Sequence, residues 1–539
     1  MSVSTNPLLD TTNPDHLLYT HGILEIAILG GIRTDHLDRL RVTLKITVEH
    51  LSVRHNLDLY NTHQTDKLIR LVAERLEVGT SVIGAALMEL TDLLEVFRLE
   101  EREKEQLAEK EIKIVLTEEQ TKEAITYLTT PSLMERTKED IGKSGVVGEE
   151  NNRLLMYLVF TSRKREHPLH IVSLGSSGIG KTHLQEKVGA LIPEEDRVEI
   201  TTLSENAFYY FGQRQLQNKV VLIEDLDGAE GALFPIRELQ TKRKISKTVV
   251  IKNTKGETKT VSLIVEGPVS VAGCTTRESL YEDNANRSFL IYIDESKEQD
   301  EKVMEYQRRL SAGKVDIAEE QRIRNFLQNT QRTLKPIQVR NPYAEKLKIP
   351  EAVFKPRRTN GHYLAFIEAV TFYHQYQRQK QYDKESGEEY IETTTEDIQQ
   401  ANKLMKEVLL RKSDQLTGAC RRYFEKLKGW MKSEGKETFM NSEIRQGMRI
   451  KGTTLRRYHN QLLDSGLIKI KEGKKATGYF YELTSSDEYE RMQQGIDVVL
   501  GEMVKRCASE PLVSHRENGS QKQPSSPRKH RKVASEPQN

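Results

Sequence analysis

Gly175-Ser176-Ser177-Gly178-Ile179-Gly180-Lys181-Thr182 decides the reading of this chain. The pattern is GxxxxGK[ST]. Its glycines let the backbone curl so that N–H groups point at phosphate oxygens. The lysine puts a charge on the β- and γ-phosphates, and the threonine hydroxyl ligates Mg²⁺. Residues 169–174 (LHIVSL) read as an apolar strand before the loop. Residues 182–192 read as a helix after it, whose positive N-terminal end adds to the anion site. Average residue usage gives this pattern by chance in about 2% of chains of this length. The stretch predicts a P-loop NTPase core that uses ATP and Mg²⁺.

Working outward, the apolar run 220–223 (VVLI) ends in Glu224-Asp225. An NTPase needs such an acidic pair at the end of a neighbouring strand, one carboxylate for Mg²⁺ and one to polarise the attacking water. The usual order, Asp then Glu, is reversed here. By position Glu224 shares the metal with Thr182 and Asp225 is the base, with Asp227 a further candidate. After the strand VSVAG, Cys274-Thr275-Thr276 offers polar groups to hold the attacking water. Arg287, in Asn286-Arg287-Ser288-Phe289, is the candidate to reach a neighbouring subunit's γ-phosphate. Lys355-Pro356-Arg357-Arg358-Thr359 opens a long helix, where Arg358, or Arg357, would sense the nucleotide. An ordinary turn, a plain surface arginine and solvation of a helix N-terminus compete with these three assignments respectively. Apolar strands alternate with helices through 166–300, one helix being expected over 205–216. That implies a parallel sheet covered on both faces.

The 539 residues are too many for one hydrophobic core and predict three or four domains. Apolar residues are 36% and charged residues 30%, with a net charge of +2, so charge informs only region by region. No run approaches the roughly 18 apolar residues of a membrane span. MSVSTNPLLDTTNPDH lacks the basic and apolar regions of a secretory signal. Three cysteines, none in CxxC spacing, make no disulfide framework or zinc ribbon, and a cytoplasmic location is expected. Strands within 22–60 and helical spacing over 64–98 predict an N-terminal α/β domain over 1–98. A helical linker at 99–165 opens on the charged run 99–113 and holds two more helices over 118–165. A helical lid is expected over 301–412, and 486–539 as a last helix and a disordered basic tail.

The alternating β-branched runs around NTKGET predict a hairpin inserted at 244–263. Positions 242, 243, 244, 247, 252, 255 and 259 are basic against one acid, Glu257. Lysines there suit phosphate contact in a channel, with Lys252 and Lys255 at the tip, or a solvated edge that resists aggregation. Residues 413–485 read as a winged helix of three helices and a wing, LIKIKEG and YFYEL, around KKATG. Within 420–483, Lys+Arg 15 minus Asp+Glu 7 gives +8. Arg456 and Arg457 on the third helix and Lys474 and Lys475 on the wing can neutralise phosphates. Thr454, Arg457 or Asn460 can reach base edges. A protein-contact module is the alternative.

This order of parts resembles the AAA+ ATPases, in the branch with a hairpin inserted before the sensor strand. Residues 220–276 are similar to minichromosome-maintenance helicases, and 351–412, with TTTEDIQQANKLM, to their lid. From about residue 22 to 485 the chain resembles the helicase-like C-terminal portion of bacterial zinc-finger/toprim DNA primases of mobile elements. SLGSSGIGKTHLQEKVG, TLSENAFYYFG and LIEDLDGAEGALFPIRELQ carry that likeness. The zinc cluster and toprim signature are missing, so primer synthesis is not expected. The resemblance implies an ATP- and Mg²⁺-dependent DNA helicase or translocase in replication or maintenance of a mobile element. It would work as a homo-oligomeric ring, such as a hexamer, on single-stranded or forked DNA, beside a separate primase or replication partner. A DNA-bound switch or loader that remodels proteins without unwinding is the alternative. A non-enzymatic DNA-binding regulator is a third, disfavoured by the intact Lys181 and Thr182. Residues 413–539, appended after the lid, are expected to be dispensable for basal hydrolysis.

Overall fold

The computed structural model describes residues 9–33, 39–111, 114–252, 258–277, 287–474 and 478–509. Five strands, β1 (Leu9–Asp10), β2 (His16–His21), β3 (Leu24–Leu29), β4 (Arg41–Val48) and β5 (Leu51–Asp58), pair antiparallel in sequence order. Period-two alternation turns Leu44, Ile46, Val53 and Leu57 onto one face. There they meet Leu68 and Val72 of α1 (Thr62–Leu76) and Ile83, Leu90 and Leu94 of α2 (Thr80–Glu111). Two strands precede the expected start at 22. Gly22 is a turn residue between β2 and β3, with φ of +60°, a conformation that favours glycine. The helix α2 runs unbroken through residue 98, so the charged run expected as a separate linker helix is its C-terminal part.

Three helices, α3 (Glu118–Thr129), α4 (Leu133–Lys143) and α5 (Glu150–Thr161), fill the stretch expected to hold two. Glycines 145 and 148, both at positive φ, separate α4 from α5. The chain then runs β6 (Ile171–Leu174), α6 (Lys181–Gly189), β7 (Arg197–Ile200), β8 (Lys219–Ile223) and α7 (Leu233–Lys242). The strands β9 (Lys244–Lys252) and β10 (Thr258–Glu266) form an antiparallel hairpin, followed by β11 (Val269–Thr275) and β12 (Phe289–Tyr292). The strands other than the hairpin make one parallel sheet in the order β12-β6-β11-β8-β7. Val220 and Leu222 of β8 pack with Leu184 and Val188 of α6 on one face, while Val221 and Ile223 pack with Ile236 of α7 on the other. Because every strand points the same way, the turns after Leu174, Ile223 and Thr275 gather at one edge. The helix expected over 205–216 is only a 3₁₀ turn, Ala207–Tyr210. Phe208 is buried and Phe211 packs on it at 5.8 Å between ring centroids, and a spacing of three suits the tighter turn.

The region expected to be a helical lid holds α8 (Lys297–Ser311), α9 (Ile317–Thr333), α10 (Pro356–Tyr373) and α11 (Thr395–Ser413). It also holds a small sheet, β13 (Gln338–Arg340), β14 (Gln381–Tyr382) and β15 (Glu389–Glu392), in the order β13-β15-β14. These strands are too short to show a period; Arg340, paired with Asp383 at 2.5 Å and stacked on Tyr390 at 3.9 Å, sets them instead.

Next come α12 (Gly418–Glu434), β16 (Thr438–Met440), α13 (Asn441–Gly447), α14 (Gly452–Asp464), β17 (Ile468–Lys474) and β18 (Gly478–Leu483). They enclose their own core of Phe424, Leu427, Phe439, Leu455 and Leu462. The last described helix, α15 (Glu488–Ser509), returns to α11. Its Ile496, Leu500, Met503 and Cys507 are buried in the same cluster as α5, α10 and α11. Lys406 pairs with Asp497 at 2.7 Å, and the Asn402 amide donates to the Leu500 carbonyl at 3.3 Å. The boundary expected at 413 is therefore not a core boundary: α15 shares the core of the stretch expected to be a lid. The residues between α11 and α15 are therefore an insertion held at both ends. Buried Arg421 joins the ends, pairing with Asp414 at 2.7 Å and Glu488 at 2.9 Å. The tail beyond 509 lies outside the described residues.

Candidate nucleotide site

The loop between β6 and α6 owes its shape to three glycines. Gly175, Gly178 and Gly180 have φ of +151°, +85° and +92°. A Cβ at Gly175 would stand 2.1 Å from Ile179 Cδ1, whereas at Gly178 and Gly180 nothing lies within 4 Å. The loop is thus packed on one side and open on the other. Ser176, Ser177 and Gly178 are exposed there. Lys181 is buried and arches back over the loop, its ammonium donating to the carbonyls of Gly175 (3.0 Å) and Ser176 (2.7 Å). On β11 behind the loop, the Cys274 thiol donates to Gln185 Oε1 of α6 at 3.5 Å, and burial pushes that thiol up to about 12. An open cradle of N–H groups at a helix N-terminus, with a lysine and a hydroxyl, fits a nucleoside polyphosphate and its Mg²⁺.

Glu224 and Asp225 follow the end of β8 and find different partners. Glu224 accepts the Thr201 hydroxyl at 3.1 Å. Asp225 is exposed, and its Oδ1 accepts the Asp227 N–H at 2.9 Å. Asp227 is held from β11: Thr275 Oγ1 donates at 2.6 Å, Thr276 Oγ1 at 2.8 Å and the Thr276 N–H at 3.0 Å. Both threonine hydroxyls expected to hold water thus bind a carboxylate, which joins the acidic turn to the end of β11.

Arg287 precedes β12, and its Nε donates to Thr241 Oγ1 at 3.0 Å. Since β12 pairs with β6 in parallel register, Arg287 and the phosphate loop lie at opposite ends of these four-residue strands, about 13 Å or more apart. Arg357 and Arg358 are exposed on the first turn of α10, and no contact among the described residues joins either to the loop.

The hairpin's positive charge is distributed differently from the expectation. Lys242 pairs with Glu238, Arg243 with Glu166, and Lys244 with Glu266, while Lys247 donates to Asn206 Oδ1 at 2.8 Å. The cations at its base are therefore neutralised or engaged within the fold. Lys252 ends β9, and its side chain is outside what is described, as are Lys255 and Lys475 entirely. In the inserted C-terminal module, Arg456, Arg457 and Asn460 are exposed on α14, while Leu455, His459 and Leu462 face its core. Lys474 is exposed at the end of β17.

Three residues absent from the motif-based reading, Glu149, Glu295 and Arg422, gather beyond the end of β12, where Glu295 meets the loop. Glu149 precedes α5 and accepts the Asp294 N–H at 2.7 Å and the Asn152 amide at 2.6 Å, with burial raising its pKa. Glu295 accepts the Ser176 hydroxyl at 3.2 Å and pairs with Arg422 at 2.9 Å. Their contacts span 145, 119 and 127 positions of chain respectively, taken as residue-number differences, and no local spacing signals them.

The fold and loop define a P-loop NTPase domain: a parallel α/β sheet with a glycine-rich phosphate cradle at its C-terminal edge. A family model described as "MTBMA_p00010 P-loop domain" matches residues 116–335, which hold all of that sheet. No curated protein matches the chain. Among solved structures, one from Cytophaga hutchinsonii described as a candidate ATPase is similar at 16% identity and a TM-score of 0.31. That match covers 52% of this chain and 86% of that one. A likeness this low carries no argument about fold or function. No helix among the described residues is long and apolar enough to cross a membrane.

Proposed function

We propose that the chain is an AAA+-type ATPase that moves along or unwinds DNA. Residues 175–182 hold the polyphosphate of ATP, with Lys181 on its terminal phosphates. Thr182 and Glu224 hold Mg²⁺, which when bound neutralises phosphate charge. Asp225 takes the proton from the attacking water, and Thr275 and Thr276 orient the acidic turn through Asp227. Arg287, remote from its own phosphate loop, serves that of a neighbouring subunit in a homo-oligomeric ring. Arg358 acts from the lid.

The hairpin carries the DNA reading. It is a ladder of nine pairs from Lys244↔Glu266 to Lys252↔Thr258, about 30 Å long at the usual rise per residue. Its second strand leads within two residues into β11, which ends at Thr275. Movement at the nucleotide is thereby levered to the tip, where Lys252 and Lys255 grip phosphates. The module at 413–485 acts as a winged helix that tethers single-stranded or forked DNA through Arg456, Arg457, Lys474 and Lys475. The resemblance read from SLGSSGIGKTHLQEKVG and LIEDLDGAEGALFPIRELQ extends this proposal to a cytoplasmic role in replication or maintenance of a mobile element, with primer synthesis left to a partner.

The test is ATP hydrolysis and strand displacement on forked DNA by the full chain and by Lys252→Ala/Lys255→Ala. Duplex affinity should persist while unwinding and DNA-stimulated hydrolysis disappear. Normal unwinding by the double variant would sink the lever reading and favour a DNA-bound remodeller of proteins.

A further inference from the structure

Among the described residues, the C-terminal module reaches the border of the phosphate loop through the Arg422–Glu295 ion pair. Glu295 lies beyond β12, and its Oε1 accepts the Ser176 hydroxyl at 3.2 Å. The same oxygen takes the Arg422 guanidinium of α12 at 2.9 Å. It also lies 3.6 Å from where a Cβ at position 175 would stand. Glu295 thus borders the cradle, and among the described residues its cationic partner is Arg422 of the inserted module.

That partner is held in place by packing. Gly418 abuts Tyr292, since a Cβ there would meet the ring at 2.2 Å. Arg411 covers the same ring at 4.9 Å to its centroid. Arg421, adjacent to Arg422, is locked between Asp414 and Glu488. The start of α12 is therefore fixed against the end of β12, beside the loop.

A carboxylate at this position repels a polyphosphate unless it is neutralised. We propose that Arg422 is a positioning residue of the nucleotide site: acting through Glu295, it neutralises the border of the cradle and transmits phosphate occupancy to α12. Phosphate oxygens compete with Glu295 for the Ser176 hydroxyl and for the remaining guanidinium donors. Binding then shifts the pair and, with it, the helix that leads into the module. This rests on the nucleotide reading above.

The chain's single tryptophan, Trp430, lies on α12 two turns beyond Arg422. Lys436 stands 5.3 Å from its ring centroid and Gly447 packs against its indole nitrogen, so its emission reports on the module. The experiment titrates full chain with ADP and with a non-hydrolysable ATP analogue, reading affinity and Trp430 emission separately. Wild type should bind and change emission. Arg422→Ala should weaken triphosphate binding about tenfold by baring the carboxylate, with a smaller effect on ADP, and abolish the emission change. Adding Glu295→Gln should restore affinity to within about threefold without restoring the emission change. Unaltered affinity in Arg422→Ala, or a defect that Glu295→Gln does not relieve, overturns the proposal and leaves the nucleotide site standing. Absence of binding by wild type overturns the nucleotide reading itself and this proposal with it.

Discussion

Ending the chain at residue 413 should unfold the lid, although the residues removed lie outside the nucleotide motifs. Ile496, Leu500 and Met503 of α15 are 2%, 5% and 3% exposed and belong to the core shared by α5, α10 and α11. Full burial of such a side chain stabilises by about 1.5–3 kcal/mol, so three contribute about 5–9 kcal/mol. That rivals the whole stability of a typical domain, about 5–15 kcal/mol. Asn402 would also lose the Leu500 carbonyl. A different variant removes residues 415–487 and keeps α15. The ends to be joined are close, because Asp414 and Glu488 bond one guanidinium at 2.7 and 2.9 Å. A flexible linker of about four to six residues spans that gap. Both carboxylates then face water, so losing Arg421 costs little. Thermal unfolding by circular dichroism and ATP hydrolysis distinguish the two variants. The truncation should melt at least about 10 °C below the full chain and lose hydrolysis, while the excision, which also removes Arg422, keeps basal turnover at saturating ATP with a raised KM and loses DNA affinity. A truncation at 413 that melts and turns over like the full chain would refute the assignment of α15 to the lid core.

The other predictions concern single residues. Asp225→Asn should bind ATP yet hydrolyse it about 10²–10⁴-fold more slowly, as read in single-turnover assays; if Glu224→Gln alone shows that behaviour, the two roles are exchanged. Arg287→Ala should lose hydrolysis by about 10³-fold or more while binding nucleotide. Mixing it with Lys181→Ala should recover part of the rate, and no recovery at any ratio would count against a shared site. Burial depresses His170 and His459 to about 4. Between pH 6.5 and 4 the unfolded chain then binds more protons than the folded one, so their stabilisation is complete above 6.5 and lost as pH falls. A shift of about 2.5 units is worth about 3 kcal/mol per histidine. Denaturant unfolding across that range should show it, and His459→Phe, flanked by Tyr423, Phe439 and Tyr481, should remove its share.

The phosphate loop, the apolar strand ahead of it and the hairpin were legible because their signals are local. Gly175 to Thr182 is eight consecutive residues, and the β-branched runs of β9 and β10 alternate over nine residues each. The stretch from Glu205 to Leu216 misled for the opposite reason: helix-compatible residues were overridden by Phe208 and Phe211 packing beneath the hairpin. The strands β13 to β15 carried no period, at two to four residues each. The basic residues around the hairpin were counted correctly in sequence, but Glu238, Glu166 and Glu266 neutralise Lys242, Arg243 and Lys244 from outside the counted stretch.

By itself the sequence determined the phosphate cradle, since φ above zero at Gly175, Gly178 and Gly180 and a lysine and hydroxyl at the helix start are written in adjacent positions. It likewise placed an acidic pair at the end of an apolar strand. Only the tertiary structure decided that β11 lies between β6 and β8 and brings Thr275 and Thr276 onto Asp227, because parallel strands are ordered by crossovers that no local pattern encodes. It alone made α15 part of the lid and set Arg422 beside Ser176 through Glu295. Such contacts arise when burial of apolar faces, here Leu500 against α11 and Gly418 against Tyr292, pulls distant charges together and fixes their partners.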